Sequence, residues 1–93
     1  MNLTTKQAYV VLATSASAAL PEEAAELVSV AQVAGGATAF AATALTVVST
    51  APSAGQIQFT GTGDNPSTAL TLNAAPGTAG GLLLCTYVPR SAV

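Results

Sequence analysis

Three of the chain's four acidic residues, Glu22, Glu23 and Glu26, lie within five positions of one another. Neighbouring carboxylates are the raw material of general acid–base chemistry, which needs them held in a cleft in unlike environments. Here they follow Leu20-Pro21, a boundary at which proline suits the first position of a helix and acids favour its first turn. The expectation is one or two turns of helix through Glu26 with solvated, capping carboxylates, not a catalytic pair. The fourth acid, Asp64, stands beside Asn65 in "GTGDNPS", which offers few of the about six to eight oxygen ligands that calcium takes. That loop and "AGGATA" have the glycines of a phosphate loop but lack the lysine and following helix that complete one. Cys85 is the only cysteine and histidine is absent. That excludes an internal disulfide, a multi-cysteine or histidine metal site and a Ser-His-acid triad. Within "LLLCTYV", Cys85 reads as a small buried hydrophobe. No catalytic, cofactor-binding or metal-binding residue emerges, no cofactor is implied, and the chain is not read as an enzyme.

The elements that would position such groups have a period of two. "LVSVAQVA" at 27–34 reads as a strand closed by Gly35-Gly36. "ATAFAATALTVVS" holds a strand at 43–49, with a second short one around 38–41. "TAPSAG" is turn chemistry. In "QIQFT", Ile57 and Phe59 face one way and Gln56, Gln58 and Thr60 the other. "TALTLNA" places Thr68, Leu70 and Leu72 against Ala69, Thr71 and Asn73, and with "QIQFT" it forms an expected hairpin across residues 61–67. After "APGTAGG", "LLLCTYV" is apolar on both faces, as in a central strand or one covered on each side, until Pro89 stops it. The predicted fold is all-β, a small single-domain antiparallel sandwich or barrel of about five to six strands with an N-terminal arm or short helix. Residues 1–20 form that arm or first element and 21–93 the β domain.

The N-terminal "MNLTTKQAYVVLATSASAAL" has the parts of a signal peptide in order, but its apolar core is about six residues where 7 to 15 are usual. It is read as part of the mature chain, and nothing is long enough to span a membrane as a helix. Leu3, Tyr9, Val11 and Leu12 are apolar residues outside the main pattern. They suit either an arm across a neighbouring subunit or an ordinary first strand or short helix.

Composition speaks to partners. Ordinary soluble domains carry about 25% charged residues, and this chain carries 6%. Between Glu26 and Arg90 the only charge is Asp64, so much of the surface lacks the charge that keeps monomers apart. The polar residues are mostly Thr, Ser, Gln and Asn, which hydrogen-bond at interfaces without the desolvation cost of an ion. Two basic residues against a net charge of −2 argue against nucleic acid. With few aromatic side chains the core is thin, and burial against copies of itself or another protein is the natural remedy. The uncharged rows Gln56-Gln58 and Thr71-Asn73 are candidate contact surfaces.

From Ala54 to the C-terminus, the strand, polar Gly-Pro loop, "TLTL"-like strand, Pro-Gly turn and closing apolar strand resemble small structural proteins of tailed bacteriophage particles. Capsid decoration, or cement, proteins are similar in size. The resemblance implies a structural virion protein, made in the host cytoplasm, that sits as an oligomer, commonly a homotrimer, on the capsid surface and clamps the major capsid protein. Leu3, Tyr9, Val11 and Leu12 would anchor it, with Gln56, Gln58, Thr71 and Asn73 as trimer or capsid contacts. The alternatives are a tail-tube, adaptor or fibre component and, from another class, a secreted carbohydrate-binding or adhesin module, for which the chain has few aromatic platforms.

Overall fold

A computed structural model describes residues 4–12, 16–34, 42–74 and 81–90. Six strands run in chain order: β1 (Lys6–Leu12), β2 (Ser17–Ala34), β3 (Ala42–Val48), β4 (Gln56–Gln58), β5 (Ser67–Leu72) and β6 (Gly81–Pro89). The spatial order is β1-β6-β2-β3-β4-β5, and β5 returns to pair with β2, so β2, β3, β4 and β5 close a four-stranded barrel beside which β6 and β1 extend the sheet. The all-β fold expected from the period-two patterns is therefore the fold observed.

β2 holds the two parts together. Its first half pairs with β5 from Ser17↔Thr71 to Ala24↔Ser67. Its second half pairs with β3 through Val30–Val33 and with β6 from Ala24 to Ala34. At Ala24 and at Val30 the strand thus has partners on both edges. Between Ala19 and Ala24 it advances five residues while β5 advances two, from Ala69 to Ser67. Pro21 sits in this irregularity, where a residue with no N–H costs the ladder no hydrogen bond. Two further bulges face β6, between Ala24 and Glu26 and between Leu27 and Ser29. Each puts successive residues on one side: Ala24 and Ala25 are both buried, and Val28 and Ser29 are both exposed. The bulges re-phase the strand so that Leu20, Leu27 and Val30 all reach the core.

The helix expected after Pro21 is absent; Glu22, Glu23 and Glu26 lie in β2. The acids do not face a helix start; Glu22 and Glu23 instead find basic partners far away in sequence. Lys6 Nζ lies 3.2 Å from Glu22 Oε2, and Arg90 Nη1 lies 3.2 Å from Glu23 Oε1. The expected boundary between residues 20 and 21 also falls inside β2, and within the N-terminal segment Lys6–Leu12 form a strand, not a helix. One ladder departs from the antiparallel expectation. β3 and β4 run parallel, Thr46↔Gln56 to Val48↔Gln58, because the chain after β3 doubles back through Ser53–Gly55, where Gly55 takes φ +80°. β4 and β5 form the expected antiparallel pair, Ile57↔Leu72 and Gln58↔Thr71. The short strand expected around 38–41 lies outside the described residues.

The core takes its largest side chains from alternate positions. Leu83, Cys85 and Tyr87 of β6 meet Val10 and Leu12 of β1, Leu27 and Val30 of β2, and Ile57, Leu70 and Leu72 of the hairpin. Phe59 closes it just beyond β4. Gly61 belongs to this packing, since a Cβ there would fall 2.8 Å from Phe59 Cε2 and 2.9 Å from the Ala24 carbonyl oxygen, besides colliding with Phe59 Cζ.

Candidate interaction surface

Of the side chains able to do chemistry, Glu22, Glu23 and Tyr87 have partners within the fold. Glu22 Oε2 accepts hydrogen bonds from the Tyr87 hydroxyl at 2.9 Å and from Lys6 Nζ at 3.2 Å. The Tyr87 bond, then the Lys6 bond, hold its carboxyl below the usual carboxylate range. Burial, then the Glu22 bond and its charge, push Tyr87 up to about 12. A carboxylate so held stays an acceptor at neutral pH, and its phenol partner stays protonated. Burial alone pushes the Cys85 thiol up to about 11, the state of an inert core thiol and not of a nucleophile. Among the described residues no three His, Cys, Asp or Glu side chains converge as metal ligands.

One cleft of about 170 Å³ opens where Gln32 of β2 and Leu45 of β3 face Gly55, Gln56 and Leu72–Ala74. Ligand pockets run from about 300 Å³ upward with convergent polar groups. The amide of Gln56 is moreover committed, its Oε1 accepting the Ser53 N–H at 2.8 Å. The cleft has the character of a turn packed on the mouth of the barrel.

The candidate contact residues separate into two groups. Gln58 and Thr71 stand directly opposite on the outward side of the β4–β5 pair, with Gln56 and Asn73 beside the cleft. Gln58 Nε2 donates to the Ser49 carbonyl at 3.3 Å, so both glutamines brace the adjoining turn. Tyr9 and Val11 lie on β1, at the other end of the strand order, and remain 66% and 75% exposed. Leu12 does not join them, for it is 2% exposed and part of the core. Alternation explains the split, since residues 9 and 11 point away from the face that 10 and 12 bury. Leu3 lies outside the described residues.

The ladder registers align Tyr9 and Val11 with partners that no motif announced. Tyr9 stands opposite Leu84, which stands opposite Ala31, which stands opposite Ala44; Val11 continues in the same way to Leu82, Val33 and Ala42. Directly paired residues share a face, so two parallel apolar rows cross β1, β6, β2 and β3 on the side away from the core. All eight are at least partly exposed. The next row, Gln7, Thr86 and Ser29, is polar and uncharged, with Gln7 Nε2 3.5 Å from Thr86 Oγ1. The signal in the sequence was "LLLCTYV", apolar on both faces. The chain covers one face of that strand fully and leaves Leu82 and Leu84 in partial contact with water. Comparison of the chain with protein-family models, with curated proteins and with solved structures found no match.

Proposed function

We propose that this chain is a structural subunit that acts by burying its uncharged sheet face on another protein, as a decoration protein on the outside of a phage capsid that stabilises the shell. The observation that carries the reading is the pair of apolar rows from Tyr9 to Ala44 and from Val11 to Ala42. A contiguous exposed apolar patch rimmed by polar side chains marks a protein contact more often than a free surface. The resemblance of the C-terminal half to small virion proteins supplies the partner class. The mechanism is mechanical: contacts made only on the assembled, expanded shell favour that state by mass action, and several copies per particle add multivalency.

Co-sedimentation of the purified chain with mature phage shells, followed by thermal rupture of loaded and bare particles, tests the reading. Saturable binding and a raised rupture temperature are expected, both lost on combining Leu82→Glu with Leu84→Glu. Absence of binding to shells, or binding indifferent to those substitutions, overturns it.

A further inference from the structure

Every described strand except β1 has a neighbour on each edge; among the described residues β1 pairs with β6 alone. A sheet's free edge is a row of unpaired N–H and C=O groups, and folded proteins blunt such edges with lysines, prolines, bulges or very short strands. β1 has none of these devices from Gln7 to Leu12. Its ladder to β6 runs unbroken over seven pairs, it contains no proline, and its one charge, Lys6, stands at the end and is matched by Glu22. Its outward side chains include Tyr9 and Val11, the two most exposed large hydrophobics among the described residues.

We infer that this edge is covered by β1 of a second copy, in antiparallel pairing about a two-fold axis. A head-to-tail assembly needs a second, different free edge; among the described residues every strand other than β1 is paired on both edges over at least part of its length, so β1 meets its own kind by isologous contact, which closes at two. Placing Tyr9 on the axis pairs all seven residues: Gln7 faces the partner's Val11 and Lys6 faces the partner's Leu12. This register keeps outward side chains on the outward side, as a one-residue slip would not. It sets the two lysines six positions apart along the strand, about 20 Å at about 3.4 Å per residue, beyond the screening length of about 8 Å at physiological salt. The pairing joins the apolar rows of the two copies across Tyr9 and Val11. It is independent of the virion reading and replaces the three-fold symmetry implied by the resemblance with a two-fold.

Sedimentation velocity of the full chain tests the inference across micromolar concentrations. The wild type is expected to sediment as a dimer. Combining Tyr9→Lys with Val11→Lys, both at exposed positions, should shift it to monomer mass with an unchanged far-UV circular dichroism spectrum. Tyr9→Cys supplies a second readout. Directly opposed residues have Cα separations of about 4.5 to 5.5 Å, within the range a disulfide spans, so mild oxidation should give a reducible covalent dimer while buried Cys85 stays unmodified. A wild-type monomer, a trimer insensitive to the lysines, or failure of Tyr9→Cys to cross-link overturns it.

Discussion

Replacing Gly61 by alanine adds one methyl group, and the structure specifies what that methyl meets. The new Cβ would overlap the edge of the Phe59 ring, with Cε2 at 2.8 Å, and stand 2.9 Å from the Ala24 carbonyl oxygen. Neither neighbour yields easily: Phe59 is 6% exposed and packed into the core, and Ala24 is the residue at which β2 is paired to β5 and β6 at once. Overpacking of this kind costs about 1 to 3 kcal/mol. The lower chain entropy of alanine in the unfolded state returns about 0.4 to 1 kcal/mol, because Gly61 is not among the positive-φ residues. With the overpacking cost in the middle of its range, about 2 kcal/mol, a net loss of about 1 to 2 kcal/mol remains. At about 4 to 8 °C per kcal/mol for a domain of this size, the melting temperature should fall by about 4 to 16 °C. Differential scanning calorimetry reads it, and a double-mutant cycle identifies the cause. In a Phe59→Leu background the ring edge is gone, and Gly61→Ala should cost at least about 1 kcal/mol less, as coupled neighbours do. Gly55→Ala is the control, since at φ +80° with nothing within 4 Å its cost is conformational and Phe59→Leu should not change it. An unaltered melting temperature for Gly61→Ala, or equal costs in both backgrounds, refutes the packing argument.

Raised acid groups in the fold should make the chain sensitive to alkali. Cys85 shifts from 9.0 to about 11 and Tyr87 from 10.0 to about 12. The part of stability that rests on these two protonated groups is thus intact below pH 9 and lost as pH rises through 9 to 12. Cys85→Ala should remove the first part of that fall in denaturant titrations at stepped pH. Glu22 has the opposite sign: its carboxyl is lowered, so its contribution is present above the ordinary carboxylate range and is lost as pH falls below it. Glu22→Gln should flatten the acid limb of the stability curve and lower the ionisation midpoint of Tyr87, read by ultraviolet titration in a Tyr9→Phe background. Native Cys85 should resist an aromatic disulfide reagent at neutral pH and react stoichiometrically once the chain is unfolded.

Legibility of the fold in the sequence follows the strength of alternation. "TALTLNA" and "LLLCTYV" matched β5 and β6 because apolar positions there recur without interruption, and the hairpin of β4 and β5 followed from the turn residues between them. β2 was half hidden. Its second half alternates, but Leu20-Pro21-Glu22-Glu23 carries a helix-start signature, and local chemistry has no knowledge of Lys6 or Arg90, whose ion pairs with Glu22 and Glu23 span 16 and 67 positions. Proline could be read as a helix opener or as a bulge residue, and only the irregular pairing with β5 decides between them. The parallel β3–β4 ladder was invisible because alternation reports which side chains face inward, not the direction of the neighbouring strand. On the candidate surface, Tyr9 and Val11 were legible as misplaced apolar residues. Ala31, Val33, Ala42 and Ala44 were not, since their shared face is defined only by register.

The bulged β2 carries a consequence for how the molecule opens. One continuous strand is at once a stave of the closed barrel and the neighbour of β6, and side chains of both parts meet in one core, so opening either part exposes the core of the other. Amide exchange on β2, β3, β5 and β6 should therefore proceed through a single, global opening, with similar protection along all four strands. β1 is the exception, joined to one neighbour by one ladder. Its amides can exchange by peeling alone, and anything that docks on its edge should report itself first as slower exchange in residues 6–12.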